Sequence, residues 1–168
     1  IKSIQINSKE VEEGDLFVCT QGVTADRHDF IDDAIKNGAS AIIVSRDGFY
    51  DREVPIIKVP DTNRELPYLC QKYYDYPDQK LKMIGVTGTD GKTSVTTIIQ
   101  NLIGSDLCGY IGTNGRSCAK FSGDNPNTTP DAHNLYMYLD EFVKYGCSYA
   151  SIETSSEALY RGRLQAMQ

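Results

Sequence analysis

A glycine-rich segment in the middle of the chain, GVTGTDGKTS from Gly85 to Ser94, constrains the fold more than any other feature. It follows a short apolar run and precedes TSVTTIIQNLI (93–103), whose apolar spacing predicts a helix. When a strand enters a glycine turn and continues through Lys-Thr into a helix, the backbone N–H groups and the helix N-terminus can bind phosphate. We therefore predict a phosphate-binding loop.

The loop residues have different expected roles. Lys92 would contact the β- and γ-phosphates of ATP, and Thr93 would ligate Mg²⁺. The residues predicted to bind ATP are Gly88, Thr89, Asp90, Gly91, Lys92, Thr93 and Ser94. The common phosphate-loop pattern has a glycine five residues before Gly91, where this chain has Val86. The structural alternative is a tight strand-to-helix turn that happens to contain Lys and Thr.

Strand and helix patterns alternate along both halves of the chain. Alternation of this kind predicts the α/β class, with parallel sheets covered on both faces. We expect a small N-terminal αβ domain over residues 1–81 and the first part of a parallel-sheet phosphate-loop domain over residues 82–168. The polar segment YDYPDQK (74–80) predicts the linker, so the boundary should fall within Asp75 to Lys82.

The patterns also give individual elements. Predicted strands cover residues 14–19, 39–45, 54–60, 82–88, 108–112 and 148–153, and predicted helices cover residues 29–38, 62–74, 93–103 and 128–146. Pro67 should kink its helix or move the helix start to about Glu65. Thr129 is suited to cap the last helix, with Pro130 in its first turn. The polar stretch 116–127 predicts a loop.

Composition and charge exclude several classes of protein. The net charge of −6 argues against binding to nucleic acid or anionic lipid. Five cysteines, an odd number without a CxxC pair, argue against a disulfide framework or a zinc site and suit the cytoplasm. No apolar run is long enough to cross a membrane, and the first residues lack the apolar segment of a signal peptide.

The spelling GxxGTxGKTS resembles the Mur ligase family, whose ATP-dependent enzymes build the peptide of bacterial cell-wall precursors. Further segments resemble the same family in the same order: NSK (7–9), GDLF (14–17), DRHDF (26–30), IGTNG (111–115), NTTPDA (127–132) and IETSSEALYRGR (152–163). They are similar to the branch that adds the third residue to UDP-N-acetylmuramoyl-L-alanyl-D-glutamate. The resemblance spans nearly the whole chain.

The resemblance implies a set of site residues. It implies that the uridine end is held by Ile6, Ser8, Val23, Thr24 and Ala25. It implies that the muramoyl-peptide is held by Asn127, Thr128 and Thr129, with Ser155, Arg161 and Arg163 on the facing segment. Glu153 would join Thr93 around Mg²⁺, which makes Lys92 and Glu153 the expected catalytic residues. In the alternative, Thr129 is only a helix cap, Glu153 is a solvated charge and the arginines lie on the surface.

The implied reaction is ATP-dependent amide ligation. ATP phosphorylates a carboxylate of the muramoyl-dipeptide, and a free amino acid attacks the acyl phosphate through its amine. The resemblance also implies a longer central domain and a third domain, so we expect the chain to be a fragment that is inactive alone. The alternatives are a related cyanophycin- or folate-type ligase, a non-catalytic UDP-sugar-binding fragment and a generic phosphate-loop ATPase.

Several positions depart from the family pattern. Asn7 and Lys9 replace an Asp and an Arg near the uridine end, and Asp90 occupies a position that is often Asn. Glu157 stands where His is frequent, and Arg161 where an uncharged residue occurs. Substrate identity is therefore less determined than reaction class. His28 and His133 are predicted to be structural or exposed, and the eleven tyrosines lie on apolar faces and indicate core positions.

Overall fold

The computed structural model describes residues 1–22, 25–48 and 52–167. The chain divides into two compact units, Ile1–Leu66 and Pro67–Gln168. Both are α/β and contain parallel strands, as predicted. Within the described part of the chain, no helix combines the length and apolar character that crossing a membrane requires.

The first unit is built on a four-stranded parallel sheet in the order β1-β2-β3-β4. Its elements are β1 (Ile4–Gln5), a 3-10 helix (Ser8–Glu10), β2 (Leu16–Val18), a 3-10 helix (Arg27–Phe30), α1 (Ile31–Lys36), β3 (Ala41–Val44), β4 (Ile56–Lys58) and the start of α2 (Thr62–Tyr73). Phe17, Ile31, Ile42 and Val44 are buried together in its core. The predicted strands of this half are confirmed.

Two helix predictions in the first half need correction. The helix expected over 29–38 begins as a 3-10 turn capped by the Asp26 side chain, and Phe30 is 40% exposed rather than part of the apolar face. The helix α2 begins at Thr62 and contains Pro67, so the start near Glu65 is wrong. The Asp61 carboxylate fixes the earlier start because it accepts the backbone N–H groups of the next turn.

The second unit contains a five-stranded mixed sheet in the order β5-β9-β6-β7-β8. After the end of α2, its elements are α3 (Pro77–Lys80), β5 (Lys82–Val86), α4 (Lys92–Ile103), β6 (Cys108–Gly112), β7 (Gly115–Cys118), β8 (Phe121–Gly123), α5 (Ala132–Lys144), β9 (Tyr149–Glu153) and α6 (Ser156–Tyr160). The strands β5, β9 and β6 are parallel, so their carboxyl ends meet at one edge. Leu135, Leu139 and Phe142 form a buried apolar stripe on α5.

The segment expected to be a linker is folded into the second unit. It contains α3, with Pro77 and Asp78 buried. The Gln71 amide donates hydrogen bonds to the Asp78 carboxylate at 2.9 Å and to the carbonyl of Ala166 at 2.7 Å. The division into units lies inside α2, between Leu66 and Pro67. The domain assignment 1–81 and 82–168 stays a prediction.

The loop predicted over 116–127 is wrong in its first half. Strands β7 and β8 form an antiparallel extension of the sheet from β6. Arg116 stabilises this hairpin, because its guanidinium lies 3.9 Å from the ring centroid of Tyr138 and its Nε is 3.2 Å from the Glu141 carboxylate. These partners are distant in sequence, so the local polar pattern conceals the strands.

Candidate functional site

The predicted phosphate loop follows β5 and opens α4, as expected from the sequence. Gly91 precedes the helix with φ +80°, a left-handed conformation that favours glycine. The N–H groups of the first turn of α4 have no intrahelical acceptor and carry the positive end of the helix dipole. Residues Gly88 to Gly91 are exposed, so an anion has access to these groups.

The Lys92 side chain turns back onto the loop itself. Its Nζ donates to the carbonyl of Gly88 at 2.7 Å and to the carbonyl of Thr89 at 3.2 Å. The ammonium therefore lies against the loop, where a phosphate bound to the N–H groups would sit beside it. Neither bond uses a charged acceptor, so a phosphate oxygen is a stronger competing partner.

Glu153 lies beside this loop and is fully buried. Thr93 Oγ1 donates to its Oε2 at 2.9 Å, and Thr113 Oγ1 donates to the same oxygen at 3.1 Å. The hydroxyl of Tyr110 donates to Oε1 at 2.7 Å, and the Thr113 N–H donates to Oε1 at 3.0 Å. Four hydrogen bonds therefore surround the two oxygens of this carboxyl group. The alternative of a solvated strand-end charge is therefore wrong.

Among the residues that the structure describes, no basic side chain pairs with Glu153. In the part of the chain that the structure describes, Glu153 forms no salt bridge, and its donors are neutral hydroxyls and one amide. A buried charge without a counter-charge is costly, and a divalent cation next to Oε2 and Thr93 would compensate it. Oxygen ligands of this kind suit Mg²⁺. The described residues contain no group of three or more His, Cys, Asp or Glu that could hold a metal by themselves.

Tyr110 and Thr113 are the residues that sequence reasoning missed. Tyr110 is buried, as expected for a core tyrosine, but its hydroxyl reaches the carboxylate. Burial, and then the hydrogen bond to Glu153, raise the pKa of Tyr110 to about 12, so the phenol stays protonated. Thr113 belongs to the IGTNG motif (111–115), to which the family resemblance gives no site role. The IGTNG motif is thus the sequence feature from which a site role for Thr113 could be predicted.

The segment predicted to hold the muramoyl-peptide lies at the same edge. The hydroxyl of Thr128 is 3.0 Å from that of Thr113. Asn127, which precedes Thr128, is exposed. Thr129 is buried, and its hydroxyl donates to the Glu153 carbonyl at 2.6 Å and accepts the Ser155 N–H at 2.9 Å. Thr129 does not cap α5. Asp131 does so, by accepting the Asn134 N–H.

The facing residues Ser155, Arg161 and Arg163 differ in what they contact. Ser155 caps α6 by accepting the Ala158 N–H. Arg163 Nη1 donates to the carbonyl of Thr129 at 2.7 Å, and its side chain is 21% exposed. Arg161 is more exposed, and its Nε pairs with Glu157 at 2.8 Å. The structure therefore brings Arg163 to the 127–129 segment and leaves Arg161 beside α6.

A separate pocket of about 590 Å³ lies in the first unit. It contains three of the five residues predicted for the uridine end: Ile6, Ser8 and Ala25. Val23 and Thr24 lie outside the described residues. Asn7 and Lys9, the two departures from the family pattern near the uridine end, also line the pocket, together with residues without a predicted role there, which include Arg27 and Phe30. They supply a cation and an exposed aromatic ring.

The 3-10 helix Arg27–Phe30, whose two ends line this pocket, contains the buried His28. His28 Nε2 accepts the Ser45 N–H at 3.0 Å, and His28 Nδ1 lies 2.5 Å from the Asp26 carboxylate. Because Nε2 is an acceptor, the proton of the neutral ring is on Nδ1 and points to Asp26. Burial opposes ionisation of Asp26, but hydrogen bonds from His28 and Arg46 lower its pKa to about 2. His28 is structural, as predicted.

Comparisons with known proteins cover the whole chain. The profile of the Mur ligase family, catalytic domain, matches residues 1–84, and that of the Mur ligase middle domain matches residues 86–168. Two proteins of Oceanobacillus iheyensis are similar over 98% of this chain and 34% of their own length, each with 40% identity. They are named UDP-N-acetylmuramoyl-L-alanyl-D-glutamate--2,6-diaminopimelate ligase and UDP-N-acetylmuramyl-tripeptide synthetase 2. The chain thus spans about a third of the length of these curated relatives.

Solved structures give the same picture. A structure of UDP-N-acetylmuramoyl-L-alanyl-D-glutamate--2,6-diaminopimelate ligase is 30% identical with a TM-score of 0.78 and covers 96% of this chain and 33% of its own. The MurF ligase from Thermotoga maritima, in complex with ADP, is 28% identical with a TM-score of 0.64 and covers 92% of this chain and 32% of its own.

Proposed function

Because the chain belongs to the Mur ligase family, we propose that it provides the nucleotide loop and the UDP-sugar pocket of an ATP-dependent amide ligase in peptidoglycan biosynthesis. The reaction adds the third amino acid to UDP-N-acetylmuramoyl-L-alanyl-D-glutamate. The names of the relatives support this substrate. The observation that carries the proposal is the contact of Thr93, at the start of α4, with the buried Glu153.

ATP binds with its phosphates at the N-terminus of α4, contacting Gly88 to Ser94. Lys92 leaves the two loop carbonyls and contacts the phosphate that is transferred, where its charge stabilises the transition state. The similar MurF ligase structure is a complex with ADP, which supports nucleotide binding by a chain of this family. A carboxylate of the muramoyl-dipeptide accepts the phosphoryl group, and the amine of a free amino acid then displaces phosphate.

Mg²⁺ fits the oxygen atoms of Thr93 and Glu153. When bound, it neutralises the charge that develops on the phosphates. Glu153 contributes the carboxylate, and Thr113 and Tyr110 hold that carboxylate in place. The absence of a basic partner for Glu153 among the described residues supports a cation at this position.

The pocket of the first unit binds the uridine end of the substrate. Ile6, Ser8 and Ala25 line it, and Phe30 offers a ring for the base. At the edge of the second sheet, Asn127, Thr128 and Arg163 contact the muramoyl-peptide. The group is completed by Ser155, Thr129 and Arg161. The hydroxyls of Thr129 and Ser155 shape this segment by accepting the backbone N–H groups of Ser155 and Ala158.

Binding of a UDP-sugar without catalysis is the second candidate function. The observation that favours it is that the 590 Å³ pocket lies wholly in the first unit, so it does not depend on the nucleotide loop. We place the protein in the cytoplasm, because all five cysteines are buried and free and the reaction needs ATP. Nucleic acid and membrane lipid are not proposed as partners.

The test uses the protein that carries this sequence at its full natural length. It is incubated with ATP, Mg²⁺, UDP-N-acetylmuramoyl-L-alanyl-D-glutamate and each of a panel of amino acids, including lysine and diaminopimelate. We expect ADP release and a UDP-tripeptide product that depend on both the dipeptide and one amino acid. Binding of the UDP-dipeptide without ADP release would favour the second candidate. ADP release that ignores the dipeptide would instead indicate a generic ATPase.

A further inference from the structure

Tyr110 places a hydroxyl group inside the site without belonging to any segment predicted to bind nucleotide or substrate. It lies in the middle of β6, is 4% exposed and donates to Oε1 of Glu153 at 2.7 Å. A core position on this strand needs only the ring, which a phenylalanine would also supply. The hydroxyl is therefore the part of the side chain that requires an explanation.

The direction of the Tyr110 proton follows from a second bond. The N–H of Asn114 donates to the hydroxyl oxygen of Tyr110 at 3.3 Å. Since that oxygen accepts from the turn after β6, its single proton is directed to Glu153. The hydroxyl thus joins the turn, the strand and the carboxylate in one chain of hydrogen bonds.

The two oxygens of Glu153 have different surroundings. Oε1 accepts hydrogen bonds from the Tyr110 hydroxyl, which is buried, and from the Thr113 N–H, which the backbone holds in place. Among the described residues, the hydrogen bonds to Oε2 come from two hydroxyl groups, those of Thr93 and Thr113, whose protons can rotate. Gly112 makes room for this arrangement, because a Cβ there would overlap both Oε1 and the Tyr110 hydroxyl.

We propose that Tyr110 is a positioning residue that fixes Oε1 of Glu153 and so presents Oε2, together with Thr93, to the divalent cation of the nucleotide. This inference rests on the proposed function, because it needs a nucleotide at the α4 loop. Groups that orient a metal ligand through a hydrogen bond change metal affinity by about 10- to 100-fold when they are removed. Tyr110 does not touch the nucleotide itself.

The experiment compares wild type with Tyr110→Phe in the protein at its full natural length. Titration calorimetry measures ADP binding with and without Mg²⁺, and Mg²⁺ is titrated into the ADP-saturated protein. We expect Tyr110→Phe to weaken Mg²⁺ binding about ten-fold or more. ADP affinity without Mg²⁺ and the KM for the UDP-dipeptide should stay the same. Tyr136→Phe is the matched control, because the buried Tyr136 hydroxyl has no hydrogen-bond partner in the described part of the chain.

The outcomes separate this inference from the proposed function. Equal Mg²⁺ affinity in Tyr110→Phe and wild type would overturn the role of Tyr110. So would equal weakening of ADP binding with and without Mg²⁺, because that pattern indicates a loss of folding rather than of carboxylate orientation. A wild-type protein that binds no ADP under either condition would overturn the proposed function, and this inference with it.

Discussion

The hydroxyl of Thr93 lies 2.9 Å from Oε2 of Glu153, although 60 positions separate the two residues in sequence. The sheet order explains this contact. The strand β9, which ends at Glu153, pairs with β5 on one side and β6 on the other. The helix that follows β5 therefore starts next to the carboxylate that ends β9. Phosphate loop and acidic residue meet at the carboxyl edge of the sheet, where ligands of such sheets bind.

Replacing Lys92 with alanine should abolish ATP-dependent ligation and leave the fold intact. The lysine supplies a charge to the transferred phosphate, and its own bonds in the structure are only to two loop carbonyls. The assay is steady-state kcat for the protein at its natural length. Lys120→Ala is the control, because the Lys120 ammonium donates to the carbonyl of Tyr145, the residue that follows α5, and not to the nucleotide loop. Retention of more than about a tenth of wild-type kcat, a loss below ~1.4 kcal/mol, would contradict the phosphate-loop assignment.

Gly112→Ala should displace the Glu153 carboxylate. A Cβ at this position overlaps Oε1 and the Tyr110 hydroxyl, so either the carboxylate or the strand must move. We expect a loss of stability of about 1–3 kcal/mol by urea denaturation, with Mg²⁺-dependent ADP binding weakened as well. Gly123→Ala is the control, because its Cβ would meet only the Arg116 side chain at ordinary contact distance. Equal behaviour of the two variants would show that the carboxylate has room to move.

Arg163→Ala should weaken binding of the muramoyl-dipeptide conjugate about ten-fold or more and leave binding of plain UDP unchanged. The guanidinium supports the 127–129 segment through the Thr129 carbonyl and remains partly exposed for a carboxylate or phosphate. A charge-assisted bond of this type contributes ~1.5–3 kcal/mol. Titration calorimetry with both ligands provides the measurement, and Arg64→Ala, which removes an arginine of α2 whose side chain is 77% exposed, is the control. If both ligands lose affinity equally, Arg163 does not hold the peptide end.

Asp26→Asn should reduce stability at neutral pH, and this reduction should become smaller as the pH falls from 3.8 towards 2. The hydrogen bonds of His28 and Arg46 outweigh burial and lower the pKa of Asp26 from its ordinary 3.8 to about 2. A lowered pKa means that the ionised form is favoured by folding. The contribution is therefore complete above pH 3.8 and is lost as the pH falls through about 2.

Urea denaturation at pH 7 and at intervals down to pH 2 measures this contribution. We expect a difference of about 1 kcal/mol between wild type and Asp26→Asn at pH 7, because the carboxylate is partly exposed. Asp29→Asn changes an exposed carboxylate in the same 3-10 helix and should show little difference. A difference between wild type and Asp26→Asn that stays constant with pH would contradict the lowered pKa.

The parts of the site that the sequence predicts are those that depend on local order along the chain. The glycine loop can be recognised because a strand, a turn and a helix follow one another within Lys82 to Ile103. Glu153 can be predicted because a carboxylate at the end of a parallel strand must lie at the edge where the loop lies. Six parallel strands can likewise be predicted from local apolar runs, namely β2, β3, β4, β5, β6 and β9.

The remaining features depend on contacts between distant residues. Tyr110 has the same apolar surroundings as any core tyrosine, and its hydroxyl gains a role only because Glu153 lies on the neighbouring strand. The cap of α5 is Asp131 rather than the predicted Thr129, because the Thr129 hydroxyl is hydrogen-bonded to the Glu153 carbonyl and the Ser155 N–H. The β7–β8 hairpin cannot be predicted from local sequence, because it is stabilised by contacts of Arg116, on β7, with Phe121 of β8 and Tyr138 of α5.

The hydrogen bonds around Glu153 also determine how much order a cation must impose when it binds. Thr93, Tyr110 and Thr113 come from a helix, a strand and a turn, and all three are already held by the same carboxylate. Fixing a mobile side chain on association costs about 0.5–1.5 kcal/mol. Most of that entropy loss has occurred here during folding. A cation that binds at Glu153 therefore loses little of its coordination free energy to ordering these side chains, and most of it contributes to affinity.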